Sequence, residues 1–154
     1  MGERALSLLA RPGAECSLVL VDDTAMATLN RIYRGVAAPT DVLAFPMLEG
    51  RFRHISPALL GDVVISTETA RRQALAAGGE LRGELACLLV HGILHLVGYD
   101  HDTAAGRRDM WRKQRLILKA CGIQAPTTPR AIRGGPPLLE GLPQGDPGRG
   151  GERR

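Results

Sequence analysis

The apolar and polar positions of the chain follow first a strand-like and then a helical rhythm. Cys16–Val21 (CSLVLV) is a continuous apolar run and predicts a buried strand. Asp22, Asp23 and Thr24 follow as N-cap candidates. Met26, Leu29 and Ile32/Tyr33 then recur at helical spacing, predicting a helix over Asp23–Arg34 that Gly35 stops. Asp41–Phe45 (DVLAF) predicts a second strand, closed by Pro46. Met47–Leu60 loses the rhythm and reads as a loop with Arg51, Arg53 and His54 at a basic tip. Gly61–Ser66 predicts a third strand, after which Ser66 or Thr67 caps a helix through Ala77, ended by Gly78 and Gly79.

Glu80–Val97 is the longest apolar segment of helical period. Leu81, Leu85, Leu88, Leu89 and Leu96 mark its buried face, and it is apolar on most sides, as a central helix should be. Gly98 ends it. Thr103–Cys121 predicts a last, amphipathic helix with Met110, Trp111, Ile117 and Leu118 inward and Gly122 as its stop. Beyond it the chain turns rich in proline, glycine and arginine without periodicity. Such a segment buries too little apolar surface to offset its ordering entropy, so residues 123–154 are expected to be a disordered tail behind a domain over 1–122. Strands early and helices late give the α+β class: a small sheet packed against helices.

Composition changes this picture little. Aromatic residues make up only 3% of the chain, so the core must be aliphatic. No apolar run reaches the roughly 18 residues of a membrane span, and none is expected. The apolar stretch Ala5–Ala10 lacks a small-residue cleavage site and runs into the first strand, so no secretory signal is expected. Cys16, Cys87 and Cys121 are far apart, an odd set without CxxC spacing that suits buried thiols in a reducing compartment. The net charge of +4 does not by itself mark a nucleic-acid binder. Its distribution says more. Arg107, Arg108, Arg112, Lys113, Arg115 and Lys119 crowd the last helix against a single acid, Asp109, and make it a candidate RNA or ribosome contact; a plain solvated face is the other reading. Tyr33 and Trp111 are either base-stacking surfaces or core fillers.

The candidate chemistry lies in three of the four histidines. His91, His95 and His101 form the pattern H-x3-H-x2-G-x2-H. Residues i and i+4 of a helix share a face about 6 Å apart, so two imidazoles can bind one ion. Gly98 permits a backbone reversal that returns His101 toward them. Three neutral imidazoles suit one Zn²⁺ and leave its fourth position open for water, whose pKa falls to about 7 there. Asp100 and Asp102 flank the third ligand and could orient an imidazole. A closed structural site with a fourth protein ligand is the alternative. The spacing also matches the metzincin proteases, but their general-base glutamate is replaced by Gly92, which moves no proton.

The stretch from His91 to His101, HGILHLVGYDH, resembles the signature of the YbeY family. Leu29–Gly35 (LNRIYRG) with Pro39–Pro46 (PTDVLAFP) is similar to the family's second motif, and Leu60–Ser66 (LGDVVIS) to a third block. The resemblance spans residues 16 to 122. It implies a zincin-like fold with a central metal-binding helix, zinc on the three histidines, and single-strand-specific endoribonuclease activity in ribosomal RNA maturation and ribosome quality control. It further implies the ribosomal small subunit as partner, a cytoplasmic location (mitochondrial in a eukaryote), and Arg34 and His91 as the residues most tied to activity. Arg34, permanently charged and planar, suits a scissile phosphate. A non-catalytic ribosome-assembly factor with a structural zinc is the second functional reading. The family carries a strand and a helix before the segment at 16–21, where this sequence has about fifteen residues, so a sheet strand is expected to be missing or replaced. Ala44 stands where the family commonly has serine.

Overall fold

The computed structural model describes residues 1–47 and 58–124. The loop tip at Arg51, Arg53 and His54 and the tail from 125 onward lie outside the described residues. The elements run α1 (Gly2–Leu8), β1 (Glu15–Val21), α2 (Asp23–Arg34), β2 (Val42–Pro46), β3 (Leu59–Ser66), α3 (Thr67–Ala76), α4 (Leu81–Leu96) and α5 (Ala104–Ala120). The three strands form one mixed sheet in the order β1-β3-β2, β1 parallel and β2 antiparallel to β3. This is the α+β class that the hydrophobic pattern predicts, within a residue or two at most element ends.

Local chemistry sets the boundaries. Asp22 caps α2 by accepting the Ala25 N–H at 2.7 Å, and Gly35 closes it in the left-handed region. Ser66 caps α3 through the Thr69 N–H, while the hydroxyls of Ser66 and Thr69 and the Arg72 guanidinium all converge on Asp23. The start of α2 is thereby tied to the start of α3. Desolvation raises the Asp23 carboxyl, but those bonds and Arg72 together outweigh it and hold the group down to about 2. Asp41, fully buried, accepts from the Val42 N–H and from Gln73 Nε2, and its carbonyl accepts the Ser66 N–H. Asn30 donates to the Ala38 carbonyl at 2.7 Å. Much of the second motif is thus structural: it joins α2, the following turn and β2 to α3.

α4 is the central helix, with 11 of its 16 residues buried. It packs on β2, β3, α3 and α5. Contact with the sheet is closest at Gly92, where a Cβ would lie 2.5 Å from Val63 Cγ1. Glycine is therefore a packing requirement there, and the glutamate of the protease pattern has no room.

A helix that the pattern did not announce, α1, precedes β1 and buries Ala5 and Leu6 in the core; its seven residues are too short a pattern to register as periodic. Three expectations need correcting. β1 is not a buried strand: it pairs only with β3, and Leu18, Val19 and Leu20 are 43–50% exposed. Leu81, Leu85 and Leu89 of α4 are only partly buried, because they face a groove of about 640 Å³ shared with Leu18 and Leu20. Trp111 is half-buried and carries Arg115 over its ring at 4.7 Å rather than pointing fully inward.

Candidate metal centre

The last two turns of α4 present His91 and His95 on one face, both buried. Their Nε2 atoms face each other at 3.2 Å. The helix then ends in a Schellman reversal: Gly98 N–H donates to the His95 carbonyl and Tyr99 N–H to the Leu94 carbonyl, each at 3.0 Å, with Gly98 at φ 95°. That turn swings His101 back. Its ring centroid lies 5.8 Å from His91 and 4.9 Å from His95. The backbone reversal that the spacing called for is present, and one nitrogen from each of the three rings falls within 4.8 Å of the others.

The returning loop has its own supports. Asp100 Oδ1 accepts the backbone N–H of His101 at 2.6 Å and of Asp102 at 3.2 Å. Desolvation raises the Asp100 carboxyl, but these bonds, with Asp102 and His101 beside it, outweigh that and hold it below the usual carboxylate range. Thr103 caps α5, and Arg107 donates to the carbonyls of His101 and Asp102. The first turn of α5 presses on the loop so closely that a Cβ at Gly106 would meet the Asp100 carbonyl. The predicted flanking acids thus hold backbone: Asp100 braces the loop, and Asp102 is exposed.

The donor set fits a cation. Burial, with added repulsion from His91 and His101, pushes His95 down to about 3, so its imidazole is neutral at physiological pH. His101 Nε2 is buried without a hydrogen-bond partner, an arrangement proteins avoid unless something else occupies the position. The 3.2 Å gap between the Nε2 atoms of His91 and His95 approximates one edge of a tetrahedron with metal–nitrogen bonds of about 2.0–2.1 Å. Among the described residues no fourth His, Cys, Asp or Glu groups with all three rings, while His101 also lies within 4.8 Å of the carboxylates of Asp100 and Asp102.

Arg34 is exposed on the last turn of α2, just before Gly35. Of the α5 cations, Arg108, Arg112, Arg115 and Lys119 form one exposed stripe. Lys113 is half-buried, and Arg107 is engaged by the loop. At 3.6 residues per turn the stripe spans roughly 60° and points roughly 130° away from Gln114, the α5 side chain that meets the histidines. Gln114 is the residue that sequence reasoning missed. It is buried, 3.2 Å from His91 Nδ1 and 2.9 Å from Cys87 Sγ. The available signal was a polar side chain interrupting the apolar face made by Met110, Ile117 and Leu118.

Comparison with known proteins agrees with the geometry. Residues 3–122 match the family model described as Endoribonuclease YbeY. The chain is 54% identical over 117 residues to the Endoribonuclease YbeY of Moorella thermoacetica, covering 72% of this chain and 75% of that one. It is 44% identical over 120 residues to the protein of that name from Geobacter metallireducens, covering 77% and 80%. A Thermotoga maritima protein solved in solution shares the fold, with a TM-score of 0.52 at 21% identity, covering 84% of this chain and 88% of that one.

Proposed function

The chain belongs to the YbeY family of endoribonucleases, and from that premise we propose that it hydrolyses single-stranded RNA phosphodiesters with one Zn²⁺ held by His91, His95 and His101. The observation that carries this reading is the convergence of three imidazoles, with His101 Nε2 buried and unpartnered and no fourth side chain grouped with all three among the described residues. A closed structural zinc would need that fourth ligand; three protein donors are the pattern of a site that admits substrate. Zinc bound there would act as a Lewis acid on a phosphoryl oxygen and make water a better nucleophile at neutral pH.

The chain's own residues do the rest. His91 and His95 sit buried on one face of α4, and the neutral His95 offers its lone pair without reorganisation. Asp100 and Arg107 hold the loop that brings His101 to them. Arg34, a planar permanent cation on the exposed end of α2, grips the scissile phosphate and neutralises charge that builds in the transition state. The outward stripe of α5 holds flanking RNA or the ribosomal small subunit through phosphate contacts, on the face turned away from Gln114. Ribosomal RNA maturation and ribosome quality control are the setting, in the reducing cytoplasm that three free cysteines suit.

The test is incubation of zinc-loaded protein with single-stranded RNA, with and without chelator, beside His91→Ala and Arg34→Ala. Cleavage should vanish with chelator and with His91→Ala. Arg34→Ala should keep full zinc content and lose cleavage at least about 100-fold, the scale of removing one transition-state donor. Chelator-resistant cleavage would end the metal reading, and full activity in Arg34→Ala would remove that residue from the mechanism.

A further inference from the structure

Gln114 sits between the histidine cluster and the core, and both ends of its amide are engaged. Its Nε2 donates toward Cys87 Sγ at 2.9 Å, and its Oε1 lies 3.2 Å from His91 Nδ1. Both Gln114 and Cys87 are buried, so water does not compete for either contact. An amide whose nitrogen faces the thiol must turn its oxygen to the imidazole. A carbonyl oxygen only accepts, so the hydrogen of a neutral His91 belongs on Nδ1. The lone pair is then left on Nε2, the atom 3.2 Å from His95 Nε2 inside the cluster.

We propose that Gln114 is a positioning residue: with its amide nitrogen toward Cys87 and its oxygen toward the ring, it locks His91 in the Nδ1–H tautomer and aims Nε2 at the cation. This rests on the metal reading above and adds to it a component from α5, a helix that supplies no ligand. It also gives α5 two separate duties, an inner face that orients a ligand and the outer cationic stripe. A ligating histidine whose second nitrogen lacks such an acceptor must select its tautomer and ring orientation at the moment of binding, which lowers affinity.

The experiment compares wild type with Gln114→Leu and Gln114→Glu. Leucine keeps the volume and removes the acceptor; glutamate keeps an acceptor at the same reach. Zn²⁺ affinity is read by competition with a chromophoric chelator, and the His91 tautomer by ¹⁵N-resolved NMR of the metal-free protein. The expected result is Nδ1–H on His91 in wild type, a 10–100-fold weaker zinc affinity in Gln114→Leu, and near-complete recovery in Gln114→Glu. Unfolding midpoints of the metal-free proteins separate this from general loosening, since a merely structural role would lower stability in both variants alike. Zinc binding as tight in Gln114→Leu as in wild type, or Nε2–H on metal-free His91, would overturn the proposal. Absence of zinc uptake by wild type would instead overturn the metal reading on which it rests, and the tautomer measurement tells the two failures apart.

Discussion

The two outer strands of the sheet are similarly apolar in sequence and opposite in circumstance. β2 (VLAFP) is buried along almost its whole length, with α4 packed over it. Tyr33 of α2 meets Phe45 edge-on, with ring centroids 4.9 Å apart. β1 (ECSLVLV) has no fully buried residue, and its leucines share an open groove with the outer leucines of α4. The lesson is where rigidity has been placed. The histidines ride on the part of α4 whose other side is pressed against β2 and β3, so the ligand frame is braced by the sealed half. The open half lies along the stretch of the same helix that precedes them, from Leu81, nearly three turns before His91, through Leu85 to Leu89.

The largest expected effect that would break this contrast comes from Gly92. Gly92→Glu drives a charged side chain into Val63, and soluble folded protein should be lost; Gly92→Ala should cost about 1–3 kcal/mol by urea denaturation. An unaltered midpoint in Gly92→Ala would mean that the helix does not press on the sheet as described.

A matched pair then measures the two strands directly. Leu43→Ala in β2, a fully buried site, should cost about 2–5 kcal/mol, whereas Leu20→Ala in β1, 50% exposed, should stay within about 1 kcal/mol. Comparable losses would show that β1 is covered in solution.

A smaller effect, on the sealed side, is read from pH. His95 titrates near 6.5 when unfolded and is held at about 3 when folded, first by burial and then by its histidine neighbours. Between those values the unfolded chain carries the extra proton, so stability falls with acidification, by up to about 1.4 kcal/mol per pH unit. The contribution is complete above pH 6.5 and absent below about 3. Metal-free protein should therefore be about 2 kcal/mol less stable at pH 5 than at pH 7 in urea melts, on account of His95 alone. A flat profile over that range would show that the imidazole is not sealed.

Strand and helix positions were largely legible because each is written locally. Asp22 and Ser66 announce helix starts, Gly35 and Gly98 announce stops, and His91, His95 and His101 announce a shared cation through spacing across one reversal. Coverage was not legible. The run at 16–21 reads as buried because its residues are apolar, yet burial is a property of neighbours. α1 escaped notice because a two-turn helix shows no repeated period. Gln114 escaped because a single polar residue on an apolar face looks like a flaw until its partners are known.

From sequence alone came the class of fold, the order of the elements from β1 onward and the candidate trio of histidines, since periodicity, capping and i,i+4 spacing act within a few residues of chain. The assembled structure alone decided which edge strand is sealed, why residue 92 has no side chain, and which helix brings a polar partner to His91. Those answers depend on distances between segments far apart in the chain. Such distances follow from how the whole core packs, and no local pattern encodes them.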